Sequence, residues 1–319
     1  MTFLNLTRTL HNSKIIGDEI KQRLRLRTQT RLGLKTYLSR GAIFVSLGTM
    51  KRSLGTVAVL GAGKIGSVVA LSLAASGRAR KVIAVRKSRG APALSPEIES
   101  GGDAAAAAAR ADILVLAVKP GDAKALMRAI GRRARGKLAV SLMAAITTKR
   151  LEEGLAGAKV VRAMPNIAAT IGESMTAYCL GRGISAGDAA RARGVLDAFG
   201  ESLEVPEHLM DAVAALSGSG PAYIAMLVEA LVSAGLKVGI PRDTALKLAT
   251  KTLTGTANIL SARGVHPAEL RDSVTTPAGT TIAGLYELEK GSLRTAIMNA
   301  VEAATLAAER IARKFEAAD

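Results

Sequence analysis

The run Asp272-Ser273-Val274-Thr275-Thr276-Pro277-Ala278-Gly279-Thr280-Thr281 crowds hydroxyl side chains into the start of an apolar segment containing Ile282, Ala283 and Leu285. A helix start needs one capping hydroxyl, and this turn offers several. The N–H groups near Gly279, Thr280 and Thr281 suit a carboxylate or another small anion. Thr281 can hydrogen-bond a polar atom beside a reacting carbon. The stretch holds no histidine, lysine or cysteine. It therefore suits a reaction that needs little acid–base help.

A second group of residues lies far upstream. Gly61-Ala62-Gly63-Lys64-Ile65-Gly66 follows the apolar run Val57–Leu60 and precedes a helical pattern from about Ile65 to Ser76. In G-x-G-x-x-G the first glycine makes the turn, the second lets a pyrophosphate approach the backbone, and the third lets helix pack on strand. Leu60 to Gly66 are therefore expected to bind a dinucleotide at a helix N-terminus. About 20 residues on, NAD sites usually carry a carboxylate for the ribose. This chain has Val85-Arg86-Lys87-Ser88 there, and two cations with a hydroxyl suit a 2′-phosphate. NADPH is the expected cofactor, with NADH as the lesser alternative; the competing reading of Arg86–Ser88 is a solvated basic loop.

Further candidates close the later strands. Ala117-Val118-Lys119-Pro120 ends a strand at the sheet edge where ligands bind in such folds. Pro120 fixes the turn, and Lys119 is either a phosphate contact or a solvated strand end. Met164-Pro165-Asn166 reaches the same edge, where Asn166 either bonds the cofactor or substrate or forms a plain Asx turn. Ser217-Gly218-Ser219-Gly220-Pro221-Ala222-Tyr223 reads as a helix cap with proline in the first turn, and Ser219 is a substrate-binding candidate. Beta-hydroxyacid dehydrogenases carry a similar G-S-G turn followed by a catalytic lysine. Here the region reads Ala222-Tyr223-Ile224, which disfavours base-assisted alcohol oxidation. His11, His208 and His266 form no constellation, His266 reads as the residue opening a helix at Pro267, and no metal site is expected.

These residues need a scaffold. Short apolar runs at Val57–Leu60, Val82–Val85, Ile113–Val118, Leu138–Leu142 and Val160–Ala163 alternate with helical segments, which indicates a parallel sheet covered on both faces. Met175–Leu180 and Leu203–Val205 are expected to add edge strands. After Pro206 only helical patterns remain: Asp211–Leu216, Pro221–Val238, Pro241–Ala262, Pro267–Val274, Thr280–Glu289 and Leu293–Ala317. The expected fold is α/β: a Rossmann-type doubly wound sheet over 53–205, then an all-helical domain over 206–319. Helices apolar around much of their circumference cannot bury themselves in so small a domain, which points to a homodimer.

Composition sets the remaining bounds. The chain has 319 residues, is 49% hydrophobic and only 3% aromatic, so its core is aliphatic. Cys179 is the only cysteine, which fits a reducing compartment and excludes a disulfide framework. The apolar stretch Ala222–Leu236 is about one turn too short for a bilayer, so no membrane span is expected. The net charge of +18 suggests nucleic acid at first. Half of that excess, however, sits in residues 1–52, where eleven Lys/Arg face Asp18 and Glu19. The rest of the chain shows no basic stripe and no aromatic interleaving, so nucleic acid is not an expected partner. Residues 1–52 are expected to be a disordered basic extension, with an upstream over-extension before Met50 and a targeting segment as the competing readings. The expected location is the cytoplasm, or an organelle if the arm is a transit peptide.

In order, G-A-G-K-I-G, A-V-K-P, R-A-M-P-N, S-G-S-G-P-A-Y and H-P-A-E-L-R-D-S-V-T-T-P-A-G-T-T resemble pyrroline-5-carboxylate reductase from Thr56 to the C-terminus. The last motif is the specific one, and Ala278 stands in it where the family commonly has glycine. The resemblance implies NADPH-dependent reduction of (S)-1-pyrroline-5-carboxylate to L-proline, the last step of proline biosynthesis. It also implies intertwined dimers through the helical domain, with decamers as the larger assembly. Carried over by position, Thr281 hydrogen-bonds the imine nitrogen, while Thr276 and the Gly279–Thr280 backbone hold the substrate carboxylate.

Overall fold

The computed structural model describes residues 53–86 and 93–317. Lys87, Ser88 and the basic arm 1–52 lie outside the described residues. The chain forms two compact units. One runs to Gly218 and takes in the chain again from Ala308; the other is Ser219–Ala307.

The first unit is built on one sheet of β1 (Thr56–Leu60), β2 (Lys81–Val85), β3 (Ile98–Gly101), β4 (Ile113–Leu116), β5 (Leu138–Ser141), β6 (Lys159–Met164), β7 (Ser174–Leu180) and β8 (Gly200–Glu204). Their order is β3-β2-β1-β4-β5-β6-β7-β8. Every neighbouring pair is parallel except β6 and β7. The first six strands follow the dinucleotide-binding order, whose reversal point lies between β1 and β4. The register across that point pairs Val57 with Ile113 and Leu60 with Leu116, so the two strands end together at the carboxyl edge.

Alternation along the strands explains the double covering. Val57 and Val59 pack with α1 (Lys64–Ala75) and α5 (Ala186–Leu196) on one face. Ala58 and Leu60 pack with α2 (Ala104–Arg110), α3 (Ala123–Ile130) and α4 (Thr148–Gly154) on the other. All five residues of β1 are buried, as a strand covered on both sides requires. The sequence placed β1, β2, β4, β5, β6 and β7 within a few residues.

Three features differ from the sequence expectation. Strand β3, Ile-Glu-Ser-Gly, is too short and polar to show as an apolar run; only Ile98 is buried, and Glu99 is ion-paired to Lys81 and Arg110. The strand expected over Ile113–Val118 stops at Leu116, because the chain turns toward the short 3₁₀ helix that begins at Pro120. The helix expected over Asp211–Leu216 is α6 (Met210–Val213) followed by a π-helical turn, Ala214–Gly218.

The second unit holds α7 (Gly220–Lys237), α8 (Arg242–Arg263), α9 (Pro267–Ser273) and α10 (Thr280–Lys290), and the first part of α11 (Leu293–Ala317). Val232 of α7 packs with Ala245 and Ala249 of α8. The absence of a side chain at Gly235 permits this approach, since a Cβ there would lie 2.8 Å from that of Ala245. Much of the remaining apolar surface is uncovered: Met226 is 73% and Met298 70% exposed. His266 opens α9 as expected, its Nδ1 accepting from Ala268 N at 3.2 Å.

The membrane estimate needs correction. Helical turns run from Glu207 to Lys237, 31 residues that are apolar and long enough to cross a bilayer by length and composition. The shorter sequence estimate took only the apolar run Ala222–Leu236. In the structure Ala214–Gly218 winds as a π-turn followed directly by α7.

Candidate active site

The glycine turn after β1 has the shape its sequence demands. Gly61 sits at φ +102°, and a Cβ on it would lie 2.6 Å from Val118 Cγ1 and 2.8 Å from the Ala117 carbonyl. Gly66 lets α1 press on the turn, because a Cβ there would collide with Gly61 O. At Gly63, by contrast, a Cβ would meet nothing within 4 Å. The first and third glycines are thus required by the protein itself, while the second borders open space that a phosphate can approach. Gly63 is also the N-cap of α1 and supplies no side-chain cap. The first N–H groups of this helix, with the positive end of its dipole, are left for ligand oxygens. These residues fit a dinucleotide.

The neighbouring candidates converge on the same turn. Gly61 N and Ala62 N both donate to Val85 O, at 3.1 and 2.8 Å, tying the end of β2 and with it half-buried Arg86 to the glycine turn. Ala117 N donates to Leu60 O at 2.9 Å. Ala117 and Val118 therefore lie against Gly61, with exposed Lys119 and the half-buried Pro120 just beyond. The Leu60 side chain is fully buried in the core, which leaves only its main chain at the edge. Ile65 packs against the core, and Lys64 is exposed at the start of α1. Asn166 Oδ1 accepts from Ala168 N at 3.0 Å, an Asx turn, and its Nδ2 donates to Ser217 Oγ at 3.2 Å.

The hydroxyl turn in the second unit divides into two parts. Ser273 Oγ donates to Leu270 O and Thr275 Oγ1 to Arg271 O, each at 2.7 Å, so both hydroxyls serve the carboxyl end of α9. Gly279 N donates to Thr276 O at 3.1 Å, closing a β-turn with Pro277 second and Ala278 third. Ala278 has φ +56°. A positive φ at the third position is the type II pattern, which explains why glycine suits that place. Gly279 cannot carry a side chain here, since its Cβ would lie against Thr276 Oγ1. It is the N-cap of α10 and provides no side-chain cap. Thr276 and Thr280 are exposed, and Thr281 is half-buried. Among the described residues none of the three commits its hydroxyl to a hydrogen bond. The turn thus presents uncapped N–H groups and uncommitted hydroxyls in one place. Ser219, in the same unit, is the N-cap of α7 and its carbonyl accepts from Ala222 N at 2.9 Å.

The hydroxyl turn contains no histidine, lysine or cysteine. Cys179 is buried in β7, and burial pushes its thiol up to about 12, so it is not a nucleophile at neutral pH. Among the described residues no three His, Cys, Asp or Glu side chains gather as metal ligands. The sequence reading missed one cluster: Arg162, Glu207, Asp211 and Ser217, which surround the end of β6. Its signal was present, because a charge inside the apolar run Val160-Val161-Arg162-Ala163 demands partners.

Comparisons with known proteins identify relatives of this chain. The family model described as pyrroline-5-carboxylate reductase dimerisation matches residues 207–311. The model described as NADP oxidoreductase, coenzyme F420-dependent, matches residues 56–145. A pyrroline-5-carboxylate reductase of Mycobacterium leprae is 37% identical over 292 residues, covering 82% of this chain and 98% of the relative. One from Synechocystis is 41% identical over 203 residues, covering 64% of this chain and 76% of the relative. Among solved structures, the Plasmodium falciparum pyrroline carboxylate reductase with NADP bound has a TM-score of 0.74 at 28% identity, covering 82% of this chain and 99% of its own. A Coxiella burnetii pyrroline-5-carboxylate reductase has a TM-score of 0.75 at 28% identity, covering 81% and 98%.

Proposed function

We propose how the two turns serve a chain that belongs to the pyrroline-5-carboxylate reductase family. The protein reduces (S)-1-pyrroline-5-carboxylate to L-proline with NADPH, the last step of proline biosynthesis. When bound, NADPH supplies the hydride that adds to the imine carbon. The roles of individual residues are our reading.

Along the sheet edge, the main chain from Leu60 to Gly66 and the α1 N-terminus hold the pyrophosphate, with Lys64 and Ile65 lining the turn. Arg86, Lys87 and Ser88 take the 2′-phosphate. Ala117, Val118, Lys119 and Pro120 pack on the cofactor's ribose side, and Asn166 borders its far end. The open space at Gly63 beside the crowded Gly61 and Gly66 supports this division.

The substrate lies on the other turn. The Gly279–Thr280 backbone, through the free Thr280 N–H, holds its carboxylate together with the Thr276 hydroxyl, Ser219 contributes a further polar contact, and Thr281 Oγ1 hydrogen-bonds the imine nitrogen. A protonated imine is already electrophilic, and the C=N electron pair moves onto a nitrogen that already carries its proton. The chain has only to hold that N–H and orient the ring. The observation that carries this reading is the uncapped start of α10 beside the uncommitted hydroxyls of Thr276, Thr280 and Thr281.

The functional division is 53–205 for the nucleotide and 206–319 for substrate and dimerisation, with 1–52 as an extension. Two copies associate through the exposed apolar faces of the helical unit, to which the dimerisation model corresponds, with decamers as the larger assembly. The enzyme works in the cytoplasm without a membrane or nucleic-acid partner. Following NADPH absorbance with pyrroline-5-carboxylate, and NADH as comparator, tests the site. Thr281→Ala should lower kcat/KM by about tenfold to a thousandfold, as loss of a polar transition-state contact does. Turnover of Thr281→Ala at the parent rate would refute its role.

A further inference from the structure

Three side chains at alternate positions along and just beyond β6, Arg162, Met164 and Asn166, hold one segment, Glu207–Gly218. Arg162 is 6% exposed, with Nη1 at 3.4 Å from Glu207 Oε1 and Nη2 at 3.2 Å from Asp211 Oδ1. Glu207 is fixed from the other side as well, accepting from Thr148 N at 2.7 Å and Thr148 Oγ1 at 2.5 Å. Met164 and Val213 both pack against the buried cluster of Ala177, Cys179 and Met210, and Met164 Cε would touch a Cβ on Gly218 at 3.2 Å. Asn166 Nδ2 donates to Ser217 Oγ at 3.2 Å. Between the first and last of these contacts the segment winds as α6 and then as the π-turn. Such wide turns are rare, occur as single turns, and are frequent at functional sites.

In this strand order the second mononucleotide half of a dinucleotide lies over the carboxyl ends of β4, β5 and β6. Asn166 and Ser217 stand at the β6 end of that edge. We propose that Arg162 is a positioning residue for the reaction: by pinning Glu207 and Asp211 it fixes the winding of 207–218 and holds Ser217 and Gly218 beside Asn166, where the reactive half of the cofactor binds. This rests on the reading that the nucleotide lies along this edge. Arg162 touches no reacting atom. Its contribution passes through the ladder of contacts, and the π-turn converts the position of Asp211 into that of Ser217.

The test separates position from stability. Arg162→Met leaves two carboxylates without their cation and should lower both Tm and kcat. The triple variant Arg162→Met/Glu207→Gln/Asp211→Asn removes all three charges together, a replacement that is often neutral for stability. It should recover Tm while kcat stays at least tenfold below the parent and the KM for NADPH changes less than threefold. Ser217→Ala breaks the last rung without touching the ion pairs and should lower kcat about threefold to tenfold at unchanged Tm. Recovery of kcat together with Tm in the triple variant, or parental kcat in Ser217→Ala, would overturn the proposal. A parent protein that binds NADPH but does not turn over the imine would instead sink the function reading alone. If the triple variant does not fold, Ser217→Ala decides the question.

Discussion

Ala278→Gly offers a quantitative test of the hydroxyl turn proposed to hold the substrate. Ala278 occupies the left-handed region at φ +56°, third in the β-turn closed by Gly279 N and Thr276 O. An L-residue there costs about 1–2 kcal/mol relative to its normal conformations. Glycine removes that strain but adds about 0.5–1 kcal/mol of unfolded-chain entropy. The difference favours glycine by about 0–1.5 kcal/mol, or up to roughly 2 °C in Tm for a chain of this size. Urea unfolding of parent and variant, read with m held in common, measures it. Because glycine adopts the same φ, the turn keeps its shape and kcat/KM should stay within about threefold. Ala278→Val provides the opposite sign, since a β-branched side chain is a genuine outlier in that region, and should cost at least about another 1 kcal/mol. If Ala278→Gly destabilised the protein by 1 kcal/mol or more, the turn would not be strained and its type II assignment would fail.

The other predictions concern the nucleotide unit. Gly63→Ala fills space that no protein atom occupies, so it should raise the NADPH Kd at least tenfold with Tm unchanged; Gly66→Ala forces a Cβ onto Gly61 O and should lower Tm as well. Equal melting behaviour of the two would contradict the division of roles. Asp188 is held below the usual carboxylate range, first by Lys159 and then by Ser185. Its stabilisation is present above the ordinary aspartate value and lost as pH falls through the lowered folded value, so Asp188→Asn should cost more at pH 7 than at pH 3 in urea unfolding. Cys179 works in the opposite sense: burial favours the neutral thiol, so stability declines as pH rises above its ordinary 9.0 toward about 12. At pH 8 alkylation of the folded protein should be about a thousandfold slower than in urea, judged by thiolate fraction; comparable rates would mean the site opens readily.

The legible parts of this protein were those carried by local pattern. Val57–Leu60 followed by three spaced glycines fixes a strand, a turn and a helix in one short stretch, and the structure keeps all three. Arg162 shows the limit. Its position in an apolar strand announced partners, but Glu207 and Asp211 lie more than forty residues on, and no local spacing names them. The hydroxyl turn is an intermediate case. Its abundance of hydroxyls was visible, yet which of them are spent on α9 depends on where that helix stops, and only the main-chain bonds reveal it. Strand β3 was hidden for a different reason: its place depends on pairing with β2, Val82 opposite Ile98, rather than on its own apolar content.

The return of the chain to the first unit at Ala308 bears on the order in which the protein is made. Ala312 is buried there, Phe315 packs against the core cluster under α3 and α4, and Arg150 Nη2 donates to Phe315 O at 3.1 Å. A ribosome that has released β8 and α6 has delivered the whole sheet but not its last covering piece. The helical unit must be synthesised first, which at about 5–20 residues per second leaves roughly 5–20 s with that patch open. During that interval the nascent unit exposes the apolar surface that Ala312 and Phe315 later cover. Chains cut short before Ala308 carry that surface permanently.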